Sequence, residues 1–216
     1  MKIIDRLIAK RGMLQHPFYQ AWSSGKLTLA TLREYAKQYY QLEAAFPTFL
    51  SAIHARCKDR GVRQLLTENL ADEELGSENH AELWLRFCEG LGLDRKNVLS
   101  AKALPETKKS IAQFRKLAAN GHFAAGVAAM YAYESQIPAV AKTKRAGLKK
   151  FYGIKSERAI KFFRVHEKAD VWHSEVERRI MKKYAKNGQR RQLLASAQKA
   201  RDALWLFLDG VHRAYC

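Results

Sequence analysis

Residues Phe162–Glu175 read FFRVHEKADVWHSE. Within them His166, Asp170 and His173 stand at i, i+4 and i+7, and at 3.6 residues per turn they fall within roughly 60° of one another. All three therefore share one face of one helix. Phe162, Phe163 and Trp172 accompany them, so that face is read as at least partly internal. Outward from this stretch, apolar residues keep recurring at three- and four-residue spacing along nearly the whole chain. No sustained period-2 run rich in Val, Ile and Thr interrupts them. The fold class is all-α.

The spacing predicts helices over about 2–14, 17–24, 28–57, 60–90, 106–120, 121–140, 143–152, 156–186 and 189–213. Thr28 and Ser156 are read as N-caps, and Gly25, Gly90, Gly92, Gly121, Gly153 and Gly188 as punctuation at helix ends. Pro47 and Pro138 fall inside apolar helical patterns. Each removes an N–H and clashes with the carbonyl four residues back, so each is expected to kink its helix. Two meanings stay open: long kinked helices wrapped around an internal space, or plain breaks at the edge of the bundle. No repeat, low-complexity segment or linker divides the 216 residues, and 1–216 is expected to form a single domain. The longest weakly patterned piece is 90–106.

Charge narrows the classes. The chain carries 39 Lys+Arg against 21 Asp+Glu, a formal net charge of +18. Nine basic residues and one acid, Glu157, lie between Lys142 and Arg164; nine basic residues and no acid lie between Arg178 and Arg201. Such stretches meet the crude threshold for a nucleic-acid surface, but basic residues more often solvate outer helix faces. Between Arg60 and Gly90, by contrast, seven acids face three arginines. No stretch approaches the roughly 18 apolar residues of a membrane span. Asp5 and Arg6 interrupt the opening where an export signal needs an apolar run. Cys57, Cys88 and Cys216 lack any CxxC spacing, so a disulfide framework and a zinc ribbon are both unexpected and a cytoplasmic location is the default.

The acidic segment supplies partners for the histidine helix. Glu73 and His80 are seven apart and, on a continuous helix, share a face about two turns apart. Glu134, in MYAYESQIP, is the one acid between His122 and Glu157, on an otherwise apolar helix. A lone carboxylate there is costly to bury unless it is paired, hydrogen-bonded or metal-bound. Glu73, His80, Glu134, His166, Asp170 and His173 together offer three carboxylates and three imidazoles from three helices. That mixture suits iron, manganese or zinc, and six ligands suit two metals better than one. The bland alternative, ordinary surface groups at helical spacing, stands about level with it on periodicity alone. The pair of Glu-x-x-His motifs of ferritin-like bundles is missing. His16, His54, His122 and His212 lack a partner at helical spacing and are read as structural or surface groups.

The combination of Glu73-x6-His80, the YES at Tyr133–Ser135 and His166-x3-Asp170-x2-His173 resembles the haem-oxygenase-like dimetal oxidases. Among them it is most similar to the CADD-like para-aminobenzoate synthases, over nearly the whole chain from HPFYQAW at His16–Trp22 onward. The resemblance implies a seven-helix bundle that binds no haem and holds a di-iron or iron–manganese cluster, with dioxygen and an electron donor as co-reactants. It also implies a self-sacrificing reaction in which a tyrosine of the chain provides the ring of para-aminobenzoate and a lysine its nitrogen. Carried onto this sequence, the ring donor matches Tyr19 and the amino donor Lys144, with Tyr133 beside the cluster and Tyr35 facing it. Phe162 departs from the pattern, since a tyrosine is expected there in the chlamydial members.

Apart from the resemblance, Lys144 reads as part of a solvated basic face and Tyr19 as a core or helix-start aromatic. If Lys144 is packed, the neighbouring Lys142 and Arg145 would favour a lowered pKa. The competing functions are a dimetal oxidase acting on a diffusible substrate such as an amino acid or fatty acid, and a basic module binding nucleic acid or a host protein. A homodimer is compatible with either.

Overall fold

A computed structural model describes residues 1–185 and 188–216. Among these the chain is helical throughout: α1 (Lys2–Ala9), α2 (Pro17–Ser23), α3 (Leu29–Glu43), α4 (Phe46–Arg56), α5 (Arg60–Glu74), α6 (His80–Gly90), α7 (Arg95–Leu99), α8 (Pro105–Ala119), α9 (Phe123–Glu134), α10 (Ile137–Phe151), α11 (Glu157–Tyr184) and α12 (Arg190–Tyr215). Thr28 caps α3 by accepting from the Thr31 N–H at 3.0 Å, and Ser156 caps α11 by accepting from the Ala159 N–H at 3.2 Å. His16 and His122 also serve as caps, their Nδ1 atoms accepting from the N–H of Phe18 and Ala124.

The seven long helices implied by the resemblance are cut into these twelve segments, ten of them eight residues or longer. The proline positions explain two of the cuts. Pro47 and Pro138 do not kink a continuous helix. Each is the second residue of a new one, α4 and α10, where the missing N–H would have had no partner. A third cut separates Glu73 from His80: α5 ends at Glu74, the chain turns through Gly76 at φ +78°, and α6 begins at His80. Glu73 and His80 therefore do not share the face of one helix. The weakly patterned 90–106 contains the short α7.

All twelve residues of α9 are buried. A helix that is apolar all round belongs at the centre of a bundle, and α9 packs against α4, α8, α11 and α12. Its small residues, Ala124, Ala125, Gly126, Ala128, Ala129 and Ala132, let those neighbours approach closely. This central rod ends at Glu134, which is how one carboxylate is delivered to the middle of the protein. No helix among the described residues is long and apolar enough to cross a membrane.

One such close approach on α9 is at Gly126, where an added Cβ would stand 2.7 Å from Ile53 Cγ1 and 3.4 Å from the Leu117 carbonyl. Alanine is the better helix former by about 1 kcal/mol, but overpacking a buried contact costs roughly 1–3 kcal/mol. Gly126→Ala should therefore lower the stability measured by urea unfolding rather than raise it.

Candidate metal centre

Three carboxylates are set at the last turns of helices. Glu43 is the final residue of α3, Glu134 the final residue of α9, and Glu73 the penultimate residue of α5. The first two share a local cause. Glu43-Ala-Ala-Phe-Pro47 and Glu134-Ser-Gln-Ile-Pro138 both place a proline four residues after the glutamate. Proline cannot donate to the carbonyl four back, so each helix stops at its glutamate. The negative end of a helix dipole is an unfavourable place for an anion, and burial adds to the cost.

These termini meet α6 and α11. Glu43, His80 and His166 each offer a donor atom within 4.8 Å of the other two, and Glu134, Asp170 and His173 do the same. In the first group His166 Nε2 lies 4.0 Å from Glu43 Oε1, and the His80 and His166 rings are 4.1 Å apart at their centroids. In the second, His173 Nδ1 lies 3.6 Å from Glu134 Oε1 and 3.7 Å from Asp170 Oδ1. Glu73 links the two groups. Its Oε1 is 2.9 Å from His80 Nδ1, and its side chain lines the same cavity as Glu43, Glu134, His166 and Asp170. That cavity measures about 10 Å³.

All six residues read from the sequence as ligands are buried here, drawn from α5, α6, α9 and α11, so four helices supply them rather than three. Two more carboxylates join them without having been singled out. Glu43 was discoverable from its repeat of the Glu134 pattern with proline at i+4. Glu177 was discoverable from its place one turn beyond His173 on the ligand face of α11. Both are at most 4% exposed.

Further residues orient these side chains. The Phe162 carbonyl is 2.8 Å from His166 Nδ1, leaving Nε2 free for a metal. Asp72 is 3.0 Å from His173 Nε2, leaving Nδ1. Asn69 donates to Glu134 Oε1 at 2.9 Å. Such outer partners set ring tautomer and orientation in metal sites.

The electrostatics call for cations. Burial, reinforced by Glu73 and Asp170, pushes Glu43 up to about 8. Burial and the proximity of Glu134 hold Glu73 and Glu177 well above the usual carboxylate range. Burial also raises Asp170, helped by Glu134. Burial and the neighbouring His80 drive His166 well below the usual imidazole value. His173 goes the other way: burial alone would lower it, but Asp170, Glu134 and Asp72 raise it. Glu134 Oε2, Asp170 Oδ2, His173 Nδ1 and both Glu177 oxygens are buried without a hydrogen-bond partner. Five buried carboxylates, three imidazoles and orphaned donor atoms in two adjoining groups fit a pair of metal ions bound by oxygen and nitrogen.

The outer acids of the 60–90 segment do something else. Glu78, Glu82 and Glu89 pair at the surface with Arg86, Arg95, Arg158 and Lys161. Of that segment's acids Glu73 is buried in the interior site, and Asp72 reaches it from the surface through His173.

Beside the metal groups lies a chamber of aromatic residues. Tyr19, Tyr35, Tyr39 and Tyr133 are each at most 4% exposed, as is Lys144 at 2%. The Tyr19 and Tyr35 hydroxyls are 3.2 Å apart, Lys144 Nζ is 2.5 Å from the Tyr35 hydroxyl, and the Tyr39 and Tyr133 hydroxyls are 2.5 Å apart. Lys144 is thus no part of a solvated face. Burial, partly offset by Glu43, brings it down to about 7. Lys142 and Arg145 are not the cause, since Lys142 is exposed and Arg145 pairs with Glu167. Tyr39 and Tyr133 line the metal-site cavity, and Tyr35 lies one helical turn behind.

Two outcomes follow. The purified chain should bind about two divalent ions, measured by elemental analysis, and lose them in His173→Ala and His80→Ala. In metal-free protein Glu43, Glu73, Asp170 and Glu177 are raised, so the folded state holds more protons than the unfolded one above pH 4.5. Their stabilisation is complete below that pH and is lost as pH rises through about 8 for Glu43. His166 opposes this more weakly as a single group. The melting temperature of metal-free protein should fall between pH 5 and 7, and metal loading should reverse the trend.

Comparison with known proteins agrees with this geometry. Residues 33–205 match the family described as iron-containing redox enzymes. The 4-aminobenzoate synthase of Nitrosomonas europaea is 45% identical over 99% of this chain and 91% of its own length. That of Chlamydia muridarum is 41% identical over 95% of this chain and 87% of its own. A TenA homologue from Pseudomonas syringae, 17% identical, superposes with a TM-score of 0.82 over 97% of this chain and 89% of its own, which places the fold. With its all-helical bundle and two adjoining groups of buried carboxylates and imidazoles, this chain belongs to the haem-oxygenase-like iron-containing redox enzymes.

Proposed function

We propose that this chain makes 4-aminobenzoate from its own side chains, with Tyr19 providing the ring and Lys144 the amino nitrogen. The observation that carries the reading is the buried chamber. Tyr19 and Lys144 already lie together, Nζ 5.4 Å from the ring centroid, while the cavity at the metal groups is about 10 Å³, room for about one water molecule. With so little room beside the metal groups and both donors already inside the protein, an internal substrate is favoured over an external molecule. The 4-aminobenzoate synthases that resemble the chain over nearly its full length support the product assignment.

In this reading two ions, iron with iron or iron with manganese, are held by Glu43, Glu73, His80, Glu134, His166, Asp170 and His173. When bound, they activate dioxygen with electrons from a donor, as oxygen- and nitrogen-ligated iron does. Glu177 adds a further carboxylate at the edge of the site.

The chain's own groups then do the rest. Tyr19 is fully buried, and burial pushes its phenol pKa up, so it stays protonated and can lose only a hydrogen atom, an electron together with a proton. Tyr35, once it has lost its own phenolic hydrogen, can receive that of Tyr19 at its oxygen, 3.2 Å away. Lys144, with a pKa near neutrality, presents a large share of free amine, the form that forms bonds to carbon. Its main chain is anchored by the Trp22 indole, which donates to the Lys144 backbone carbonyl at 3.2 Å. Surrounding rings of Tyr19, Tyr35, Tyr39, Trp22 and Trp84 lie within 6.0 Å of Nζ and exclude water.

Iron-loaded protein given reductant and oxygen should release 4-aminobenzoate up to about one equivalent per chain, since a consumed residue cannot turn over. Ring-labelled tyrosine and ε-15N-lysine should both appear in the product, and the chain should lose mass at residue 19. Undiminished product from Tyr19→Phe, or repeated turnover on an added small molecule, would sink the assignment. At constant metal loading the yield should rise with pH through about 7, where the Lys144 ammonium gives up its proton.

A further inference from the structure

On α3, Tyr35, Tyr39 and Glu43 stand at i, i+4 and i+8, one above another on the face turned inward. Glu43 belongs to a metal group and Tyr35 to the Tyr19–Lys144 chamber, so Tyr39 is the step between them. Its hydroxyl is 2.5 Å from that of Tyr133, the residue preceding Glu134. On the other side its ring centroid is 5.7 Å from that of Tyr35. Lys144 Nζ stands 4.4 Å from the Tyr39 centroid, nearer than to any other ring it approaches. Tyr39 also lines the cavity together with Glu43, Glu73, Glu134, His166 and Asp170. Phe162 stacks on His166 at 3.9 Å and meets the edge of Tyr39 at 6.3 Å, but a phenyl ring has no O–H to exchange.

We propose that Tyr39 is the relay through which the Tyr35–Tyr19 pair is oxidised from the metal centre. The proposal rests on the reading of Tyr19 as the consumed residue. Dioxygen is the terminal oxidant. One hydrogen atom leaves Tyr133 for it, breaking the Tyr133 O–H bond and leaving a phenoxyl radical. Tyr39 restores that bond by giving its own hydrogen atom, electron and proton together, across the 2.5 Å contact. The Tyr39 radical next takes an electron from Tyr35, while the phenolic proton of Tyr35 goes to the free amine of Lys144, 2.5 Å away. This leaves an ammonium at Lys144 beside a phenolate at Tyr39, a pair that collapses when the proton passes to Tyr39. Tyr19 then gives a hydrogen atom to the Tyr35 radical across 3.2 Å. The sum is one electron and one proton removed from Tyr19 and delivered to dioxygen, with Tyr35, Tyr39, Tyr133 and Lys144 returned to their starting forms.

The test uses the iron-loaded full chain in three forms: Tyr39→Phe, the neighbouring Tyr40→Phe, and 3-aminotyrosine placed at position 39 as an easily oxidised trap. Tyr39→Phe should bind metal as the wild type does and lose at least roughly tenfold in 4-aminobenzoate yield. Tyr40→Phe, altering a half-buried residue outside the chamber, should retain it. In the aminotyrosine protein, freeze-quench electron paramagnetic resonance after mixing with oxygen should show an aminotyrosyl radical, a signal that a purely structural role for Tyr39 would not produce. Wild-type yield from Tyr39→Phe, or an aminotyrosine that stays reduced while product forms, overturns the relay and leaves the proposed function standing. A wild-type protein that releases no 4-aminobenzoate overturns both.

Discussion

Five carboxylates and three imidazoles buried together between α3, α5, α6, α9 and α11 dominate the energetics of this chain. An isolated buried carboxylate costs several kcal/mol unless it is paired or protonated, and the raised pKa values of Glu43, Glu73, Asp170 and Glu177 are the record of that cost in the metal-free protein. The one buried lysine among the described residues, Lys144, does not neutralise the set, because burial lowers its own pKa. Divalent cations bound there would. The rest of the bundle can be understood as the scaffold that keeps these mutually repelling groups together: an apolar central helix ending at Glu134, and glutamates brought to the ends of α3 and α5.

The breaks in the helices are part of that device. Proline four residues after Glu43 and after Glu134 stops each helix at its glutamate and starts the next one with the proline at its second position, where no N–H is needed. The chain thereby turns at the site without leaving it. His80 is delivered by a comparable turn, at the N-terminus of α6, after the chain passes through Gly76. Helices that ran on unbroken would carry Glu43 and Phe46, or Glu134 and Ile137, along one surface, and the two metal groups would not face each other.

The aromatic chamber is linked to the metal groups by helix periodicity. Tyr35, Tyr39 and Glu43 occupy successive turns of α3, and Tyr133 directly precedes Glu134 on α9, so the phenols and the ligands come from the same elements. Two pairs of hydroxyls in contact, 3.2 Å and 2.5 Å apart, then connect residues from α2, α3 and α9. Lys144 enters from α10 and is enclosed by rings rather than by carboxylates. Burial among those rings brings its pKa down to about 7, whereas Glu43, the nearest carboxylate of the site, acts to raise it.

By itself the sequence determined the helical class, the caps at Thr28 and Ser156, the shared face of His166, Asp170 and His173, and the anomaly of Glu134 on an apolar helix. Each of these is a local property, since the 3.6-residue period reports which side chains leave one helix together, and an isolated charge in an apolar run is visible wherever that helix packs. Only the tertiary structure decided that Glu43 completes the first metal group, that Glu73 meets His80 across a turn rather than along a face, that Lys144 is enclosed instead of solvated, and that Tyr39 stands between the metal groups and Tyr35. Those depend on which faces of different helices meet, and periodicity within a helix carries no information about the face opposite. Lys142, Lys144 and Arg145 look alike in the sequence; α10 turns Lys144 toward Trp22 and the tyrosines, and leaves Lys142 in water and Arg145 to Glu167.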